Sequence, residues 1–276
     1  MIYSIVATSI MYGVIKYLKD FSVYQIIFFR SILTLSITTP LILKNKIDFF
    51  GNNKKILLLR GFLGLISMIF FFQSIKYLDL GIAVTLRYTS PIFATLLAMF
   101  FLKEIIKKIQ WFLIIISFVG VVILNVLEFE VHLIGLTYAL LSAISLGFVF
   151  IITNKIGKTE SPLVIINYFM LIALFFTGLM SIDKWVSPSP HELILLFISG
   201  LLGYSGVLYL TKSLQNSKVN HVAPLKYLEV IFTIIIGISF FGEKYTGFSL
   251  LGIFLILLGV ILNTFLKRKS ETKSIF

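Results

Sequence analysis

The 276-residue chain has no cysteine. That excludes disulfides, thiolate metal sites and cysteine nucleophiles. Charge is scarce too: Asp, Glu, Lys and Arg make up 13% of the residues, against about 25% in an average soluble domain. A chain at half that value cannot cover a water-facing surface, so the composition points to an integral membrane protein. The three histidines (His132, His191 and His221) fall near the ends of apolar stretches, and no HExxH run occurs. An intramembrane hydrolase would therefore lack its usual metal ligands. No nucleotide-binding loop is recognisable, which argues against direct ATP coupling. No enzyme activity, cofactor or metal is expected.

What the chain does have is apolar sequence: 58% hydrophobic residues and a mean hydropathy of +1.03. Ten stretches stand out, at 2–18, 23–43, 56–75, 80–102, 109–127, 132–154, 162–182, 192–211, 219–241 and 246–266. Each is near the length that crosses ~30 Å of hydrocarbon. They predict an all-α membrane protein of ten transmembrane helices, with no room for a soluble domain. The first stretch starts at Met1 without a basic leader, so it reads as a retained helix, not a cleaved signal.

The formal net charge of +12 is distributed unevenly. With the N-terminus inside, sixteen lysines and arginines lie on the cytoplasmic side and five on the external side. Such a bias predicts that both termini are cytoplasmic. The positive charge therefore reports topology, and no nucleic-acid partner is expected.

The sequence also matches itself at an offset of 139 residues. "RGFLGLISMIFFFQSIKYL" from Arg60 falls on "SGLLGYSGVLYLTKSLQNS" from Ser199, pairing Gly61 with Gly200 and Gly64 with Gly203. "LRYTSPIFATLLAMFFLKE" falls on "LKYLEVIFTIIIGISFFGE", pairing Arg87 with Lys226, Tyr88 with Tyr227 and Glu104 with Glu243. Each half holds five spans. Because five is odd, the second half enters the bilayer upside down, giving two inverted five-helix repeats around a central cavity. The first repeat covers 1–127, the second 132–266, and a basic cytoplasmic tail runs over 267–276. Secondary transporters recur in this architecture, because two such halves can rock about a shared site.

Polar residues inside the spans are the candidate site. A Lys or Arg at a helix centre costs about 2.5–3.5 kcal/mol on insertion. Arg30 and Arg87 lie roughly 10 Å inside their spans at 1.5 Å per residue, and Lys226 lies about as deep. They either snorkel or face a polar cavity. At 100° per residue, Lys226, Glu229, Thr233 and Gly237 share one helix face, as do Arg87, Ser90, Ala94 and Ala98. Lys226 and Glu229, three apart, can neutralise one another. If they line a cavity, they suit the ammonium and carboxylate of an amino-acid-like ligand, or Glu229 carries a proton. Tyr88, Tyr227 and Tyr204 are candidates for ligand contact, as are Tyr12 and Tyr209. Glu104 and Glu243 close their helices and read as interface markers. The small residues Gly61, Gly64, Gly200, Gly203 and Gly206 predict close helix approach, and Pro91 and Pro224 predict kinks.

At these residues the chain resembles the EamA family of the drug/metabolite transporter superfamily. The resemblance spans nearly the whole chain. It rests on "QIIFFRSIL" with Arg30, on the terminal Glu104 and Glu243, and on "HVAPLKYLEVIFTIIIGISFFGE". Within the family, "LLLRGFLGL", "WVSPSPHELILLF" and "APLKYLE" are most similar to S-adenosylmethionine uptake carriers. The resemblance implies a cavity ringed by the third, fourth, eighth and ninth helices. It also implies transport of a small polar metabolite in a bacterial inner membrane, with a counter-substrate or protons as possible partners. An exporter of amino acids, metabolites or drugs is the alternative, and a channel a further one.

Overall fold

A computed structural model describes residues 2–102, 108–126, 132–156, 159–216 and 227–273. Its helices are α1 (Ile2–Tyr17), α2 (Val23–Lys44), α3 (Lys54–Tyr77), α4 (Leu80–Arg87), α5 (Ser90–Leu102) and α6 (Lys108–Val126). They continue as α7 (Leu133–Ile156), α8 (Pro162–Ser181), α9 (Pro190–Asn216), α10 (Leu228–Phe241) and α11 (Gly247–Lys273). Among the described residues the ten apolar stretches thus give eleven α-helices, because the fourth is stepped into α4 and α5.

Local chemistry sets several boundaries. The Ser22 hydroxyl accepts the Gln25 amide at 3.1 Å to start α2, and Asn53 does the same for Ile56 at the start of α3. Pro162 opens α8, where the missing N–H costs nothing. Gly242, at φ 64°, ends α10, while the Glu243 amide donates back to the Gly237 carbonyl at 3.1 Å. A left-handed residue at that point suits glycine.

The radial distribution of side chains identifies the solvent. Phe240 is 80% exposed, Phe100 72% and Phe175 62%, and they point outward along with Ile231, Ile235 and Ile238. Gln25, Thr34, Thr38, Ser67, Ser142, Asn167 and Thr233 are buried. An apolar exterior over a partly polar interior is stable in hydrocarbon and not in water. Six helical segments are long and apolar enough to span a bilayer, and four shorter apolar helices accompany them.

Helices pair along small residues. α3 packs on α7, α1 on α9, α2 on α8, and α6 on α11. The α6–α11 contact is the tightest of these. A methyl group on Gly120 would lie 2.7 Å from the Gly252 carbonyl, and one on Gly259 would lie 2.5 Å from the Leu113 carbonyl. Backbone meets backbone there, which only a missing Cβ permits. The five glycines named above each sit against a neighbouring helix: Gly61 and Gly64 on α8, Gly200 and Gly203 on α2, and Gly206 on α1.

Candidate functional site

The site begins at the break in the fourth span. α4 tightens at its end, where the Tyr88 amide donates to both Val84 and Thr85, and Thr89 to Leu86. The Thr89 hydroxyl also donates to the Leu86 carbonyl at 2.6 Å. Pro91, without an N–H, sits in the first turn of α5 and cannot continue the α4 ladder. The interruption leaves Arg87 and Tyr88 at a joint inside the bundle. A face drawn continuously from Arg87 through Ser90 and Ala94 therefore needs correction: Arg87 belongs to α4, and Ser90, buried, opens α5.

Arg87 donates to the Tyr12 hydroxyl on α1 at 3.2 Å. Its guanidinium lies over the Phe71 ring of α3, 4.1 Å from the centroid. Tyr12 meets the same ring edge-on at 5.0 Å. Across the joint, Tyr88 donates to the Glu229 carboxylate of α10 and packs against Tyr227, centroids 5.3 Å apart. Arg30 of α2 comes from the other side. Its guanidinium lies 5.6 Å from the Phe72 ring and donates to the Met68 sulfur at 3.5 Å. Tyr12 lies within range of the charges of Glu229, Arg87 and Arg30. Arg30 and Tyr12 are each 7% exposed and Glu229 is 1% exposed.

Of the residues singled out from sequence, the structure gathers Arg30, Arg87, Tyr88, Tyr227 and Glu229, with Tyr12. Thr233 is fully buried one turn beyond Glu229, but its hydroxyl donates to the Val230 carbonyl of its own helix. Tyr204 is buried on α9; among the described residues, no hydrogen bond or ring contact joins it to the cluster. Tyr209 lies elsewhere, edge-on to Tyr3 at 4.6 Å. Lys226, Pro224 and Glu104 lie outside the described residues. Phe71, Phe72 and Met68, which cover the two guanidinium groups, carried no signal in a chain this rich in phenylalanine. The implied ring of third, fourth, eighth and ninth helices captures only part of the arrangement, since α1 and α2 supply Tyr12 and Arg30.

A second charged assembly closes one end of the bundle. Glu243 accepts the Leu80 amide at the start of α4, at 2.9 and 3.0 Å. It pairs with Lys16 of α1 and accepts from the Tyr245 hydroxyl. Lys16 also donates to the Leu78 carbonyl at 3.0 Å, and Tyr245 accepts the Gly81 amide at 3.0 Å. Burial and the adjacent Glu243 carboxylate push the Tyr245 phenol above its usual range. A cavity of about 750 Å³ adjoins this assembly, lined in part by Lys16, Lys19, Asp20, Glu192 and Lys244. Among the described residues, no group of three His, Asp or Glu is placed to hold a metal.

A polytopic helical bundle with a charged cluster at a broken helix defines the class: an α-helical membrane protein of transporter type. The EamA-like transporter family matches residues 1–126 and again 133–265, and the chain belongs to that family. Its relatives are transporters, not enzymes. The S-adenosylmethionine uptake transporter of Rickettsia bellii is 26% identical over 91% of this chain and 87% of its own. Human solute carrier family 35 member G1 is 26% identical over 86% of this chain and 70% of its own. The pseudopaline exporter CntI of Pseudomonas aeruginosa is 24% identical over 86% and 84%. A solved crystal structure covers 98% of both chains at a TM-score of 0.66 with 14% identity, a likeness of fold.

Proposed function

We propose that this protein is a secondary carrier that moves a small polar metabolite, an amino acid or a derivative such as S-adenosylmethionine, by alternating access. Its setting is the bacterial inner membrane, with both termini cytoplasmic. The observation that carries the reading is the buried cluster of Arg30, Arg87 and Glu229 at the joint between α4 and α5. Charges that deep in a bilayer protein are costly, and a broken helix beside them is how carriers expose polar groups to a solute. Two guanidinium groups and one carboxylate, interleaved with tyrosines, suit an amphoteric solute with a flat or apolar portion. Lys226 joins this site in the proposal, and Glu229 is the group through which protons or a counter-substrate would couple.

Inverted repeats around a central cavity are part of the proposal. Contacts that exchange under the 139-residue offset support them. Gly200 lies against Arg30 and Leu33, while Gly61 lies against Phe169 and Ile172. Gly120 faces Gly252 and Ile256, while Gly259 faces Leu113 and Ser117. Residues 139 apart also meet each other: Ser31 with Met170, Ser117 with Ile256, and Tyr88 with Tyr227. Contacts between equivalent residues are what a two-fold axis between the halves would produce.

Uptake of radiolabelled S-adenosylmethionine into proteoliposomes tests the reading, with S-adenosylhomocysteine and amino acids as competitors. Saturable uptake, blocked by the adenosyl compound and lost in Glu229→Gln, is expected. A folded protein that accumulates none removes S-adenosylmethionine as cargo. The pseudopaline exporter among the relatives favours a second reading, export, which the same vesicles report when preloaded.

A further inference from the structure

Arg30 is the most deeply buried guanidinium among the described residues, 7% exposed. A guanidinium has five N–H donors, yet the acceptor it finds is one thioether, Met68. Its Nε is buried without a hydrogen-bond partner, and among the described residues no carboxylate pairs with it. Removing such a charge from water without a counter-ion is strongly unfavourable. The group must therefore serve something other than the packing around it.

The residue related to Arg30 by the 139-residue offset is Phe169. A methyl on Gly200 or Gly203 would meet Arg30, and one on Gly61 or Gly64 would meet Phe169. The same helix crossing is thus built once with a guanidinium from its own helix and once with a phenyl ring, over which the Arg60 guanidinium of α3 lies 5.4 Å from the centroid.

We infer that Arg30 is the receptor for a single carboxylate group on the transported solute. This rests on the proposed cargo site. Three observations narrow the ligand to that class. The guanidinium fork matches a planar carboxylate in bidentate geometry. Tyr12 lies within range of its charge and of those of Arg87 and Glu229. Arg30 and Arg87 outnumber Glu229 among the described groups, which favours an added anionic group beside Arg30. A dianionic phosphate would be repelled more strongly by Glu229 than a carboxylate. Gly203 keeps the space: a methyl there would lie 2.7 Å from Arg30 Nε and 2.8 Å from Nη2.

The test uses the full-length protein in nanodiscs and proteoliposomes. S-adenosylmethionine and methionine are each compared with their carboxamides, with inorganic phosphate as the dianion. Binding is read by thermal shift and transport by counterflow. In the native protein the acids should bind about 10- to 100-fold more tightly than the amides, the worth of a charged hydrogen-bonded pair, and phosphate should have no effect. Arg30→Met should abolish the preference for the acid. It should leave the melting temperature of the ligand-free protein unchanged or raise it by about 2–4 °C, because an unpaired buried charge is gone. Amides that work as well as acids, or an Arg30→Met protein that still prefers acids, would overturn the inference and leave the carrier reading intact. If none of these solutes is bound or moved by folded protein, the proposed cargo falls, and the ligand-free melting alone decides. A clear drop in both Arg30→Met and Arg30→Gln then makes Arg30 structural, and no drop upholds its freedom from the fold. Collapse of both variants likewise overturns the inference.

Discussion

Glu243 and Arg30 are both buried charges in an apolar bundle, and they are treated in opposite ways. Glu243 is surrounded by donors: the Leu80 amide, Lys16 and the Tyr245 hydroxyl. Every contact ties together elements that pack anyway, namely α1, the start of α4 and the α10–α11 turn. Arg30 has one aromatic and one thioether neighbour and, among the described residues, no paired anion. A satisfied charge stabilises the arrangement it is found in. An unsatisfied one costs stability there and is informative about a ligand. The two regions separate structural from functional polarity within one fold.

The comparison is broken most sharply at Glu243. Glu243→Ala strands Lys16 and the Leu80 amide and should cost about 3 kcal/mol, read as a large fall in melting temperature. Arg30→Met should cost nothing. Equal losses in the two variants would erase the distinction drawn here.

Glycine substitutions sharpen it next. Gly120→Ala and Gly259→Ala push a methyl into backbone that cannot yield, at about 1–3 kcal/mol each. Gly203→Ala meets only the end of the Arg30 side chain, so it should melt near the native temperature while transport falls. Transport unaffected by Gly203→Ala would separate that glycine from the site.

Phenol deletions give smaller effects. Tyr245→Phe and Tyr88→Phe each remove one hydroxyl bonded to a carboxylate, and each should cost about 1–2 kcal/mol of stability. Only Tyr88→Phe should lower counterflow, since Tyr245 belongs to the end assembly. Smallest of all, Ser22→Ala loses the cap on α2, worth about 0.5–1 kcal/mol, and should leave transport alone. A transport defect in Ser22→Ala without unfolding would mean that the start of α2 moves during the cycle.

Legibility from sequence followed the physics of each feature. The apolar spans were readable because the bilayer imposes a length, and the observed helices agree with them to within a few residues in most cases. The fourth was read as one span, and Leu80–Leu97 is one by length and composition. Its helix steps at Tyr88 and Thr89 because a threonine hydroxyl and a proline act together at Thr89 and Pro91, a local competition that hydropathy averages away. Arg30, Arg87 and Glu229 were visible as charges that had no business in hydrocarbon. Their neighbours were not. Tyr88, not a residue on the same helix face, is the described donor to Glu229. Arg87 reaches Tyr12, 75 residues away, because α4 stops at the residue carrying it. Gln25, which bonds the Val186 backbone in both directions, and Asn167, which receives Thr38 and Thr39, resemble ordinary polar residues in the sequence.

By itself the sequence determined the solvent, the number of apolar spans, the family and the residues whose charges need an explanation. These depend on composition and on transfer free energies that act residue by residue. The tertiary structure decided which charges were answered. Lys16 and Glu243 were brought together across 227 residues, while Arg30 was packed against a ring and a sulfur. That outcome depends on where helices cross and where one of them breaks, and no term local to the chain encodes it.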